Sequence, residues 1–388
     1  MLMNRSGLPR RAVTLVLIIL LFRASPIPAQ TSFEMTPDVD RLLRSALDDM
    51  YRYDLESAER KFDELVRRFP DHPVGPMHKA EVVWWRALRS KNKSLQTSFE
   101  GYTNEAIAKG QQLEKQNGGD FYAQLYMAAA YGNLTRYNIY VTRNDYRAMR
   151  AGLKGYRYIK LAYGLRPNYV DCLIGIGAYN YVAGSLPVAL KIIAWMFTES
   201  GDKDKGIEQL QIVAQTGEYG QTEGKMVLLG AYYNEKHFEK YRQLVTELIE
   251  QYPSNPVFIT WLADSYVREQ KLDEGIRFLT ALLNRPGSHE RGTLATAQAT
   301  YEKGRLELEK GVLDDCMSSF NQVLDMKLQD DPLLSRAHLL RAFAWDLKGQ
   351  REAAVADYQT VLGLMDIENS HKKAKSFLKT PYPGVARN

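Results

Sequence analysis

The sequence predicts an all-α fold, a right-handed α-α superhelix of about seven to eight stacked helix pairs. Three observations predict it. One helix-pair pattern is read twice in succession over residues 222–286. Small and apolar residues recur at helical spacing from Pro37 to about residue 366, broken by Pro and Gly. No stretch alternates apolar and polar residues with the period of two that a half-buried strand requires.

The doubled pattern carries the most information. Its first copy places Leu228, Leu229, Tyr232, Leu248 and Pro253 at fixed offsets, and Leu262, Ala263, Tyr266 and Leu282 repeat the first four 34 residues later. That period, with small or apolar residues early, an aromatic one turn on and a closing Pro, is the period of the tetratricopeptide repeat, TPR. A single helix pair is too small to bury its apolar face, so pairs stack and cover one another. Small residues are needed where the two helices come closest. Gly275 stands there in the second copy and the bulkier Tyr241 in the first, so the consensus is degenerate.

The remaining elements follow in order. Residues 1–29 read as a signal peptide: a basic segment with Arg5, Arg10 and Arg11, an apolar run from Ala12 to Phe22, and a polar tail with Ala29 at the expected cleavage point. The run is too short to span a bilayer. The solenoid is expected over residues 30–379. Helix pairs fall at 37–70, with Ala46, Ala58, Phe62 and Leu65, at 74–117, and at 120–165. Residues 169–217 are less regular. Two more pairs fall at 293–326 and 333–365, with Cys316 and Ala354 at the close-contact position. A Lys-rich helix at 370–379 caps the stack, and residues 380–388 form a loose tail.

Composition narrows the function. The 388 residues carry 51 basic and 46 acidic groups. Four of the basic ones lie in the first 29 positions, leaving 47 against 46 in the body. So balanced a chain lacks the basic excess of general nucleic-acid binding. Six scattered histidines form no metal-binding spacing, and no nucleophile elbow or phosphate loop is present. No catalytic residue, metal or cofactor is expected. Cys172 and Cys316 lie several repeats apart, too far for a disulfide, and read as small core residues.

Three features stand out. Arg143, Arg147, Arg150, Lys154 and Arg157 recur at spacings of four and three on one helix face; they either grip an acidic partner or form a solvated outer face. Twelve of the 24 tyrosines lie between positions 122 and 181, and Tyr122, Tyr126 and Tyr137 either bind a partner or pack between helices. Leu186–Phe197, with Lys191 its only charge, is either a core helix or a docking face.

The order Gly175-x-Gly177, Asn180, Ser185-Leu186-Pro187, Leu190-Lys191, Gly201-Asp202 and Gly206 resembles a segment of the TPR family that includes the inclusion-body clearance proteins of the mitochondrial outer membrane. The resemblance implies an α-solenoid adaptor without a catalytic residue. The N-terminal segment departs from a mitochondrial location. The groove positions of the two clear repeats, Met226, Gly230 and Asn234, then Thr260, Asp264 and Arg268, lack the basic pair of a carboxylate clamp. The expectation is an exported, non-enzymatic scaffold, periplasmic or secreted if bacterial, with protein segments in its concave groove and no nucleic-acid partner. The alternatives are a membrane-associated component using the 186–197 helix and the basic face, or a small-ligand module.

Overall fold

Why the chain coils into pairs is visible at their turns. The computed structural model describes residues 33–117, 119–187, 200–285 and 292–384, and its compact body spans Met35–Asn388. The signal-peptide reading and most of Leu186–Phe197 lie outside the described residues. Within them the chain forms α-helices and short helical turns, and no strand.

Eight antiparallel helix pairs follow one another. They are α1 (Pro37–Tyr51) with α2 (Leu55–Arg68), α3 (Val74–Ser90) with α4 (Gln96–Asn117), and α5 (Phe121–Tyr137) with α6 (Asp145–Leu165). Next come α7 (Leu173–Gly184) with α8 (Lys203–Thr216), α9 (Gln221–Asn234) with α10 (Phe238–Gln251), and α11 (Pro256–Arg268) with α12 (Leu272–Asn284). Last are α13 (Gly292–Lys310) with α14 (Leu313–Asp325) and α15 (Asp331–Leu347) with α16 (Arg351–Gly363), closed by α17 (Ser370–Lys379).

Five of these pairs share one turn. The amides of Asp54, His237, Lys271, Val312 and Gln350 each reach back to the carbonyl five residues earlier, all at 2.9 Å. The residue before each amide is left-handed: Tyr53, Lys236, Gln270, Gly311 and Gly349. This is the double hydrogen bond that closes a helix C-terminus with a left-handed residue. Only two of the five use glycine, the residue to which that backbone comes at no steric cost, so the sequence shows the turn openly at Gly311 and Gly349 alone.

Starts are equally local. Thr36, Asp54, Asp120, Asn144, Asp202, Asn255 and Asp330 each accept a first-turn amide of the helix that follows, satisfying donors the helix leaves open. Within pairs, Ala46, Ala58, Cys316 and Ala354 are fully buried at the crossings. A Cβ on Gly275 would lie 2.9 Å from Tyr266 Cβ and 2.7 Å from Leu306 Cδ1, so α12 approaches α11 only because that position has none. Both cysteines are free and buried, and burial pushes each thiol up to about 12, which keeps it protonated.

The solenoid does not stay open. Its first helices return to its last ones. Asn255, wholly buried, donates to the Tyr51 carbonyl at 2.9 Å, and Ser254 Oγ donates to that of Arg52. Arg89 at the end of α3 holds the Asp330 carboxylate through both guanidinium arms at 2.6 and 2.8 Å, and Arg336 donates to the Arg89 carbonyl. Trp85 sits edge-on to Tyr51, Trp84 and Phe258, tying α1, α3 and α11 into one aromatic core. Helix α3 is accordingly buried along nearly its whole length, from Val74 to Arg89.

Candidate functional site

Because α3 lies inside the curl, ionisable groups face one another across the interior. On its middle turn, Glu81 accepts from His78 at 2.7 Å and from Arg136 of α5 at 3.2 Å, and Arg136 also donates to Glu223 of α9 at 2.5 Å. Arg136 bonds Asn133 as well and covers the Trp84 ring at 4.3 Å. Burial raises Glu223, and the nearby Glu81 charge adds to that against the pull of Arg136. Burial acts on Glu81 in the same sense, but the His78 hydrogen bond and the Arg136 guanidinium bring it below its usual value. A second knot joins Glu302, Arg305 and Asp264: Arg305 donates to both carboxylates at 2.6 and 2.7 Å. The first knot ties α3, α5 and α9 together, and the second ties α11 to α13.

Further along the inner helices the surface opens. Asp264, Asn234 and Arg268 are exposed there, and Trp261 and Gly230 half-buried. Across from them, residues 138–142 end α5 in a wide helical turn that Arg143 closes in the left-handed conformation. The turn places the Tyr140 hydroxyl 3.8 Å from where a Gly230 Cβ would stand. Tyr241 donates to the Trp261 carbonyl at 3.3 Å, Tyr233 packs on Tyr241 at 5.9 Å, and Arg268 lies over Tyr233. Lys91, left-handed at the end of α3, borders the same space. Burial lowers its ammonium; Arg336 and Arg143 add to this, while Glu368 and Asp264 oppose it. Neither Lys91 nor Arg143 forms an ion pair among the described residues. The space is a mouth of aromatic faces with two cations that form no direct ion pair among the described residues.

The residues singled out by sequence separate into three places. Arg147, Arg150, Lys154 and Arg157 are exposed on the outer face of α6, where Arg147 meets Glu100 at 3.3 Å. Arg143 is not on that face: the wide turn and its left-handed backbone break the helix before Asp145, so it belongs to the inner mouth. Tyr122 is half-buried under the Arg166 guanidinium, 4.9 Å from its ring. Tyr126 and Tyr137 are core residues, which takes them out of any binding surface. Tyr126 packs edge-on to His72 and His78 at 5.7 Å, and Tyr137 stacks on Phe99 at 4.0 Å. The reason is that α5 is covered on two sides, by its partner α6 and by the preceding pair, α3 and α4.

The Tyr137 hydroxyl is buried without a hydrogen-bond partner, and burial pushes its pKa up to about 12. An orphaned buried hydroxyl costs about 1–3 kcal/mol. Tyr137→Phe is therefore expected to stabilise the fold by about 1 kcal/mol in chemical denaturation; a loss of stability would mean the hydroxyl has a bonded role.

The glycines of the resemblance segment are structural. Gly206 of α8 lies against the α7 backbone at Tyr181 and Gly177, and Asn180 donates to Gln209 at 2.8 Å beside the same crossing. Just before α7, the buried Asp171 carboxylate accepts the amides of Glu218, Tyr219 and Gly220 at 2.8, 2.8 and 3.0 Å, anchoring the start of α9. A solvent-open cleft of about 590 Å³ between α10 and α12 is lined by charges, of which Arg242 and Glu269 satisfy each other. No group of His, Cys, Asp or Glu among the described residues could hold a metal ion.

Stacked antiparallel pairs, five of them closed by one turn, define a helical-repeat fold. More particularly, the chain is a TPR-like α-solenoid. No protein-family model matches it, and no curated relative does. Similar solved structures include a tetratricopeptide repeat protein from Parabacteroides merdae, at 13% identity and TM-score 0.34 over 78% of this chain and 98% of that one. Yeast Tom70 aligns at 12% and 0.39 over 89% and 82%, and the human IFIT1 dimer with PPP-AAAA at 13% and 0.43 over 88% and 75%. At these identities the likeness concerns fold alone.

Proposed function

We propose that the chain is a non-enzymatic scaffold that takes an acidic, extended protein segment into the inner mouth. The observation that carries this is the pairing of aromatic faces with Lys91 and Arg143, two cations without a direct ion pair among the described residues. A carboxylate beside Lys91 would relieve the burial and like-charge effects that lower its pKa. Rings at the mouth supply contact area at low entropy cost. The mouth is short, because α3 fills the rest of the inner surface, so the reading is a segment of a few residues and not a peptide along the whole groove. The near-neutral body supports a protein over a nucleic acid. The basic, apolar, small order of residues 1–29 supports an exported protein.

Selection of peptides from a random display library on the purified protein tests the reading. Acidic sequences with an aromatic residue should be enriched. Losing two charge-assisted hydrogen-bond donors through Lys91→Ala with Arg143→Ala should weaken the selected peptides about ten- to a hundredfold, with strong salt dependence. Peptides that bind the double variant as well as the parent would place recognition elsewhere.

A further inference from the structure

The outer face of α6 is the most unusual surface of the molecule. The buried face of the helix carries Ala148, Ala151, Gly155 and Ala162, which let it lie close on α5, beside the larger Tyr158 and Ile159. A Cβ on Gly155 would come within 3.3 Å of Tyr131 Cβ. The opposite face exposes Tyr146 (64%), Met149 (56%), Leu153, Leu161 and Leu165 (50%). These are five of the ten large apolar side chains found exposed among the described residues, gathered on one helix. A sixth, Val182, is exposed on the next helix, α7.

The same face is cationic. Helix α6 carries Arg147, Arg150, Lys154, Arg157 and Lys160 against one acid, Asp145 at its first position. Arg150, Lys154 and Arg157 form no ion pair among the described residues. Arg150 instead lies over the Tyr146 ring at 5.7 Å, and Lys154 beside that of Tyr131 at 5.5 Å. Exposed apolar side chains therefore alternate with Arg150, Lys154 and Arg157 along one helix. That is the composition of a helix lying at a lipid–water interface, where apolar groups enter the acyl boundary and cations meet anionic headgroups.

We infer that the outer face of α6 docks on an anionic lipid surface. Charge favours an anionic lipid surface: five cations stand on this helix against one acid, among exposed apolar side chains. No helix among the described residues is long and apolar enough to cross a membrane, so the contact is peripheral. The inner mouth opens on the first helices of the pairs and α6 is a second helix, so lipid on α6 leaves the mouth free to hold its segment.

Sedimentation with phosphatidylcholine vesicles, with and without phosphatidylserine, tests this on the full chain. The protein should pellet with the phosphatidylserine vesicles at low salt, stay in the supernatant with phosphatidylcholine alone, and be released by high salt. Arg150→Ala, Lys154→Ala and Arg157→Ala together should weaken binding about a hundredfold, and Met149→Glu with Leu153→Glu should abolish it. All five side chains are exposed, so melting temperatures should hold. A Met149→Trp reporter, whose emission shifts to the blue when its ring leaves water, gives a reading independent of those variants. Failure to pellet with phosphatidylserine, no emission shift, or pelleting that the variants leave unchanged would overturn the inference. Self-association of the lipid-free protein that the same variants abolish would overturn it too, by giving the face to a second copy.

Discussion

Arg136→Ala should lower the unfolding free energy by about 3–5 kcal/mol, with a loss that depends on pH. The guanidinium is the shared partner of Glu81 on α3 and Glu223 on α9, and its removal leaves two buried carboxylates facing each other. Arg136 lowers both carboxyls, so without it both folded pKa values rise. A carboxyl with a raised folded pKa costs nothing below its unfolded value, near 4.5, and costs progressively more as pH climbs through the folded one. The deficit of the variant should thus be largest at neutral pH and shrink towards pH 4.5. Urea denaturation of both proteins across that range measures it. A deficit independent of pH would assign the loss to packing against Trp84.

Gly206→Ala should cost about 3 kcal/mol, the upper part of the range for overpacking a core. The added Cβ would stand 2.4 Å from the Tyr181 amide nitrogen and 2.7 Å from the Gly177 carbonyl oxygen. Both are backbone atoms of α7, so no side-chain rotation relieves the clash and the two helices must move apart. Gly101→Ala is the control with opposite sign. Nothing lies within 4 Å of its added carbon in the middle of α4, and replacing a helical glycine by alanine gains about 0.5–1 kcal/mol. Thermal melts of the two variants should move in opposite directions. A Gly206→Ala protein as stable as the parent would show that the α7–α8 crossing is looser than its geometry.

The fold class was legible because stacking repeats leave a period. Leu228, Leu229 and Tyr232 are buried in α9, and their counterparts Leu262, Ala263 and Tyr266 are buried in α11. Tertiary closure left no such mark. The contacts of Asn255 with Tyr51 and of Arg89 with Asp330 join residues 204 and 241 positions apart, and nothing in either local sequence announces the other. At the site, helical spacing says which residues share a face, and it left Tyr126 and Tyr137 open between binding a partner and packing between helices. The preceding pair, α3 and α4, covers both. Spacing also carried Arg143 into the stripe, because a wide turn closed by a left-handed non-glycine residue has no composition signal. Lys91 and Tyr140 gave none either: their neighbours at the mouth come from α9, α11 and the approach to α17.

The bond between Arg89 and Asp330 also fixes an order of events during synthesis. A helical-repeat array ordinarily matures pair by pair as it leaves the ribosome, each unit completed by the next. Here the N-terminal α3 carries a cation whose partner is translated 241 residues later. At ordinary elongation rates that interval is on the order of tens of seconds. For the first part of it, until residues 256–268 are made, the Trp84–Trp85 surface of α3 has no α11 to cover it. The nascent chain therefore carries one of its most deeply buried helices uncovered until α11 is made, an interval in which exposed aromatic surface is open to aggregation or to a chaperone.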